Sequence, residues 1–168
     1  MSGFDLRPMG ALDLDRAAAL HSAAFAPLGE RAWTRQDVAE LMASPGVGGI
    51  LLSADGKEVG FALCRVAADE AELLTIAVDQ AHRRRGAGRA LLDAVIARAR
   101  DAGAASLFLE VGVDNPGACS LYGQKDFQTV GRRAGYYRRG DGAPADAIVM
   151  RLALTRDGFR RGGLKRGG

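Results

Sequence analysis

The segment Arg83-Arg84-Arg85-Gly86-Ala87-Gly88-Arg89 has the residue types of an anion cradle. It falls between a strand-like run and the opening of a helix, where unsatisfied N–H groups and the helix dipole already concentrate positive charge. Three arginines there repel the helix end unless an anion joins them. Gly86 and Gly88 let the backbone approach a ligand and aim amides at it. This is the chemistry of a phosphate or pyrophosphate site. A solvated basic turn, with the glycines kept for geometry, is the alternative. No Lys-Ser/Thr pair follows the last glycine, which excludes the phosphate loop of nucleotide hydrolases. Leu91 stands where a dinucleotide fingerprint needs its third glycine.

Downstream, Glu110 ends the apolar run Leu107-Phe108-Leu109. It lies either at the rim of a sheet or, at a cost, inside it. A carboxylate so placed can act as a base; a solvated strand end is the bland reading. Asn115-Pro116 reads as a helix N-cap and first helical position. Tyr122 follows about two turns later, where a tyrosine ordinarily packs. The tandem Tyr136-Tyr137 packs on a sheet or walls a site. Cys64 and Cys119, the only two cysteines, form no CxxC pair and show no activating base, so they read as packing residues. They suit a reducing cytoplasm and exclude a disulfide scaffold. The two histidines, His21 and His82, are far apart and read as surface or loop residues, with no metal centre expected.

The elements that must hold these residues are readable from periodicity. A helical pattern spans Leu12 to Ala24, with Leu12, Ala19, Leu20 and Ala23 near one face. Thr34, with Asp37 as carboxylate partner, caps a helix running from Gln36 to Met42. Gly46 to Gly49 reads as a turn. Ile50–Ser53 and Val59–Val66 form a hairpin about Asp55-Gly56, and Glu72–Val78 is a third strand. From Gly86 to Ala102 a helix buries Leu91, Leu92, Val95, Ile96 and Ala99, and Gly103 ends it. Strand Ser106–Val111, a short helix to about Lys125, and strands Phe127–Arg133 and Ala147–Leu154 follow. The expected class is α/β (α+β) with a mixed sheet.

At 168 residues, 48% hydrophobic and 26% charged, the chain reads as one soluble globular domain from Phe4 to Leu154. No apolar run approaches the ~18 residues of a membrane helix. The net charge is +3, but the glycine-rich stretch 155–168 carries +4 of it, leaving −1 for the domain. That tail reads as a solvated terminus or as a weak contact with RNA; the domain itself offers no nucleic-acid signature.

Arg83-x-x-Gly86-x-Gly88 after Leu73-Leu74-Thr75-Ile76-Ala77-Val78 resembles the coenzyme A pyrophosphate motif of the GNAT acyltransferases. Leu109-Glu110-Val111, Asn115, Leu121-Tyr122 and Phe127 resemble that superfamily's second half. Ala71 to Val78, Tyr136-Tyr137, Asp146-Ala147-Ile148-Val149-Met150, and the Phe25, Pro27 and Trp33-Thr34 segment look like its RimI subfamily. The resemblance covers Phe25 to Leu154. Three positions depart from it: Gly112 for an arginine, Asp126 for a glycine before Phe127, and a longer spacing from Pro27 to Trp33.

The resemblance implies a GNAT fold, a mixed twisted sheet flanked by helices, with acetyl-CoA as cosubstrate and no metal. It implies acetyl transfer to the N-terminal alanine amine of small-subunit ribosomal protein eighteen, in the cytoplasm. Ile76, Ala77 and Val78 would lend backbone groups to the pantetheine arm. Arg83, Arg84, Arg85, Gly86, Ala87, Gly88 and Arg89 would hold the pyrophosphate, and Asn115 would touch the coenzyme. Glu110 would act as base, Tyr122 as acid on the leaving thiolate, and Tyr136 and Tyr137 would bind the peptide. An α-amine, with a pKa of roughly 7.7–8.0, gives up its proton more readily than a lysine at ~10.4. The same fold acting on a small amine or a lysine side chain is the nearest alternative; a non-catalytic acyl-CoA or RNA-binding module is the more distant one.

Overall fold

The computed structural model describes residues 3–154; the basic stretch 155–168 lies outside them. Among the described residues, strands β1 (Phe4–Pro8), β2 (Val47–Ala54), β3 (Lys57–Ala67), β4 (Glu70–Val78), β5 (Ser106–Gly112), β6 (Gln128–Tyr137) and β7 (Ala145–Ala153) form one sheet. Its order is β1-β2-β3-β4-β5-β7-β6. Only β4 and β5 run parallel; every other pair is antiparallel. Helices α1 (Leu14–Phe25) and α2 (Arg35–Ala43) cover one face. Helices α3 (Ala87–Asp101) and α4 (Pro116–Gln124) cover the other.

Each face has its own core. Leu91, Leu92, Val95, Ile96 and Ala99 of α3 pack with Leu52, Ala62, Cys64, Leu73, Leu107 and Leu109. On the other face Leu14, Ala17 and Leu20 of α1 and Val38 of α2 pack with Leu51, Phe61, Leu63 and Ala77. The α3 face is the one its periodicity predicts. The α1 face is not: Leu12 is 99% exposed and precedes the helix, and the buried row is Leu14, Ala17, Leu20 and His21. Alanines fit either face, so the pattern alone did not decide between them.

Local signals explain the ends of these elements. Thr34 Oγ1 accepts from Asp37 N at 3.1 Å, and Thr34 N donates to Asp37 Oδ2 at 2.7 Å, a full capping box. Asp55 and Gly56 both take positive φ, as the tight hairpin turn requires. At the end of α3, Ala104 N bonds Ala99 O and Gly103 N bonds Arg100 O, with Gly103 left-handed. The predicted turn at Gly46–Gly49 is shorter than expected, because β2 begins at Val47 and pairs with β3 from there. Strand β1, paired in register with β2 from Phe4↔Ala54 to Pro8↔Ile50, has no clear alternation in the sequence. It is an edge strand that buries little.

Two irregularities open the sheet. Leu63 pairs with Thr75 but Cys64 with Leu73, so Leu74 is an extra residue on β4. Such a bulge bends the strand and swaps its faces: Leu73 packs towards α3 before it, and Ile76 and Val78 do so after it. The parallel pairing of β4 with β5 lasts only from Glu70↔Ser106 to Glu72↔Phe108. Beyond that β5 stays with β7, Glu110 opposite Val149 and Gly112 opposite Ala147. The carboxyl half of β4 therefore parts from β5, with α3 and α4 starting just past the open end.

Candidate active site

The gap between β4 and β5 opens a cleft of about 410 Å³. One wall is Leu73–Ile76 of β4, whose backbone beyond Glu72 has no strand partner on the β5 side. The other is Leu109–Gly112 of β5 with Asn115, Ala118 and Tyr122 of the α4 segment. Phe25, Glu30 and Trp33, together with Tyr136, Tyr137 and Arg139, close the far side. Six residues singled out in the sequence thus meet in one cleft: Ile76, Glu110, Asn115, Tyr122, Tyr136 and Tyr137. Of the other two members of the β4 trio, Ala77 is buried beneath α1, and Val78 packs towards α3.

Glu110 is half-buried, with Arg133 Nη2 at 3.3 Å from Oε1. Asn115 Oδ1 accepts from Ala118 N at 3.2 Å, so the cap is made as its sequence predicts, with Pro116 in the first turn. Tyr122 is 4% exposed, tilted against Phe127 at 5.7 Å. Burial, then the neighbouring Tyr137 and Cys119, push its phenol well above the ordinary tyrosine range. Tyr137 is raised in the same direction by burial and by Glu30 and Glu110. Both phenols therefore keep their protons. Cys119 is also pushed up by burial, which keeps it a thiol.

The arginine segment lies between β4 and α3. Gly86 is the left-handed N-cap, φ +87°, and Arg84 is also left-handed. The first bond of α3 is Ala90 N to Gly86 O, so the amides of Ala87, Gly88 and Arg89 precede the helical ladder and point out of its end. A Cβ on Gly88 would meet only Leu121 Cδ2, at 3.4 Å. Arg83 is engaged locally, its Nε donating to Val78 O at 3.3 Å. Arg84, Arg85 and Arg89 make no side-chain hydrogen bond or ion pair among the described residues. Free amides, open backbone and unpaired guanidiniums are what a pyrophosphate requires.

Sequence reasoning missed two features of the cleft. Arg139 grips Asp114 with both Nε and Nη2 at 2.8 Å, bonds Glu30 through Nη1, and lies 4.8 Å from the Tyr137 ring. These partners are far apart in the chain, and no local spacing joins them. The arrangement accounts for Gly112: a Cβ there would fall 2.5 Å from Asp114 Oδ1 and 2.6 Å from Arg139 Nη2. The guanidinium of Arg139 occupies the space that a side chain at 112 would take. Asp126, the second departure, sits at φ +67°, the left-handed region where a glycine is at home and aspartate is tolerated.

The second missed feature is His21, which is not a surface or loop residue. It is 3% exposed on α1, stacked on Trp33 at 4.1 Å and tilted against Phe25 at 4.5 Å, and it walls the cleft. Its signal was weak because a single histidine in an alanine-rich helix does not reveal its face.

Fold and relatives together define the class, an acetyl-CoA-dependent N-acetyltransferase. The chain belongs to the acetyltransferase (GNAT) family, whose sequence model matches residues 14–127. It is 41% identical over 104 residues to the [ribosomal protein bS18]-alanine N-acetyltransferase of Escherichia coli K12, covering 62% of this chain and 70% of that one. It is 37% identical over 143 residues to the N-alpha-acetyltransferase RimI of Mycobacterium tuberculosis, covering 83% and 85%. The crystal structure of the ribosomal-protein-S18-alanine N-acetyltransferase from Escherichia coli superposes with a TM-score of 0.83 at 32% identity, over 94% of this chain and 98% of that one.

Proposed function

We propose that the protein transfers acetyl from acetyl-CoA to the N-terminal alanine amine of ribosomal protein bS18, with Glu110 as base and Tyr122 as acid. The observation that carries this is the convergence of Glu110, Asn115 and Tyr122 on the gap between β4 and β5. The names of the relatives supply the acceptor. A ribosomal acceptor puts the reaction in the cytoplasm.

The amides of Ala87, Gly88 and Arg89, with Arg84, Arg85 and Arg89 around them, hold the pyrophosphate, and Asn115 lies beside the coenzyme. The unpaired backbone of Ile76 aligns the pantetheine arm and thioester as an extra strand would, with Ala77 and Val78 fixing that strand's course. Acetyl-CoA supplies the activated acyl group. Glu110 takes the proton of the acceptor ammonium, directly or through water, and the freed lone pair attacks the thioester carbonyl. The C–N bond forms as the C–S bond breaks, Tyr122 gives its proton to the departing thiolate, and the attacking nitrogen sheds its remaining extra proton to water or back to the Tyr122 phenolate, leaving the neutral amide. Burial keeps the phenol protonated but also makes it a weaker acid, so the transfer relies on the thiolate forming beside it. Tyr136 and Tyr137 flank the acceptor's path.

The test offers the enzyme acetyl-CoA with a peptide copying the processed amino terminus of bS18, beside an N-blocked copy and a lysine-bearing control. Mass gain on the free-amine peptide alone, with equimolar release of coenzyme A, is expected. Acetylation of the blocked or lysine peptide at equal rate would refute an N-terminal acceptor.

A further inference from the structure

His21 is a buried polar side chain that the chemistry above does not use. Its Nδ1 accepts a hydrogen bond from the backbone N–H of Trp33 at 3.2 Å. A backbone amide can only donate, so Nδ1 carries no proton, and the neutral ring holds its hydrogen on Nε2. Burial keeps the ring neutral, at about 4. The stack with Trp33 and the contact with Phe25 fix the ring plane.

Nε2 has no hydrogen-bond partner among the described residues. It is not sealed either: the one buried side-chain polar atom there without a partner is His82 Nδ1. His21 lines the cleft between β4 and β5. An oriented N–H with no acceptor among the described residues thus belongs to a side chain in the wall of the space where the acceptor enters.

We infer that His21 binds the acceptor, its Nε2–H donating to a backbone carbonyl oxygen at the acceptor's amino-terminal end. A peptide presents such an oxygen at every residue. The reacting amine is excluded as the partner, because a donor aimed at its lone pair would block the attack. The inference rests on the proposed peptide acceptor, and it makes the wall carrying Phe25 and Trp33 part of acceptor recognition.

Two substitutions separate this role from support of the Trp33 loop. His21→Asn keeps an acceptor near the Nδ1 position and removes the Nε2 donor; His21→Gln does the reverse. Steady-state kinetics with the free-amine bS18 peptide should show the peptide KM raised about tenfold in His21→Asn, the size of one lost hydrogen bond. kcat and the acetyl-CoA KM should stay within about twofold, and His21→Gln should hold the peptide KM within about threefold of wild type. In nitrogen-15 spectra of the full chain, the imidazole should show the Nε2–H form, and its proton should shift downfield when the peptide joins the coenzyme A complex.

A larger KM defect in His21→Gln than in His21→Asn would reduce His21 to a support for Trp33 and overturn the inference. So would a loss confined to kcat, or an Nε2–H resonance unmoved by saturating peptide. The wild-type assay keeps the two readings apart. A wild type inert towards every N-terminal peptide removes the proposed function and this inference with it; an active wild type beside an unaffected His21→Asn removes the inference alone.

Discussion

Tyr122 and Glu110 share a cleft, and the opposite tasks proposed for them sit in different surroundings. The tyrosine lines the cleft but is largely buried beside Phe127, and burial, with Tyr137 and Cys119, holds its proton on. The glutamate is half-open, with one guanidinium at 3.3 Å. Removing the phenolic proton donor in Tyr122→Phe leaves the ring packing intact, so kcat should fall about 100-fold while the protein melts nearly as wild type. Glu110→Gln should lose a similar factor, and raising the pH should recover part of it by deprotonating the amine in solution. Pre-steady-state release of coenzyme A reads both; full turnover in either variant removes that residue from the chemistry. Asn115 was legible as a cap from its place before Pro116, whereas the roles of Glu110 and Tyr122 come from the family resemblance, since local spacing alone reads them as a strand end and a packed ring. Arg139 was not legible, since its partners Glu30 and Asp114 lie far off in sequence and meet only through tertiary folding.

At the scale of elements, the side of the cleft proposed for the acceptor is held by a clasp between two loops. Glu30 lies on the segment joining α1 to α2, and Arg139 on the one joining β6 to β7. Gly29, left-handed at φ +75°, lets the two backbones touch: a Cβ there would lie 2.8 Å from the Arg139 carbonyl carbon and 2.9 Å from Gly140 N. Gly29→Ala therefore meets both a strained φ and a backbone clash, and should cost about 1–3 kcal/mol in a denaturant titration. Arg139→Ala removes the guanidinium that bridges Asp114 and Glu30, charge-assisted bonds typically worth about 2 kcal/mol each. Hydrogen exchange at the Glu30 and Trp33 amides, bonded to Phe25 O and His21 Nδ1, should quicken at least about tenfold. Unchanged exchange there would show that the α1–α2 segment stands without the clasp. The secondary structure around these loops followed from capping and hairpin signals, but the loops' mutual contact has no local signature. The buried face of α1 failed for a related reason, because its alanines say little about direction.

Across the whole molecule, the proposed function depends on a sheet that fails to close, and most of that failure lies beyond sequence periodicity. A mixed sheet followed from the order of strand and helix patterns, and helices on both faces with a split between central strands followed from the family resemblance. The split has no signature in periodicity, since it arises from one extra residue at Leu74 and from β5 preferring β7 to the far half of β4. A sheet held this way leans on both of its cores, and the core under α1 contains a titratable ring. His21 is held at about 4 against an ordinary 6.5. Between those values the unfolded chain binds a proton that the native chain does not, so stability is complete above pH 6.5 and declines as the pH falls towards 4. The gap corresponds to about 3 kcal/mol when fully expressed, roughly a third of a typical domain's stability. Asp13, lowered to about 2 by the Arg7 hydrogen bond, contributes in the other sense of charge: its share is present above its ordinary 3.8 and is lost only as the pH falls further, towards 2. The two windows barely overlap, and denaturant midpoints measured from pH 7.5 to 4.5 should report the histidine. His21→Asn, which cannot take up the proton, should flatten the decline over that range even if its midpoint at pH 7.5 is lower. An equal decline in the variant would mean that another group drives the acid loss and that the ring under α1 is not the molecule's first point of failure.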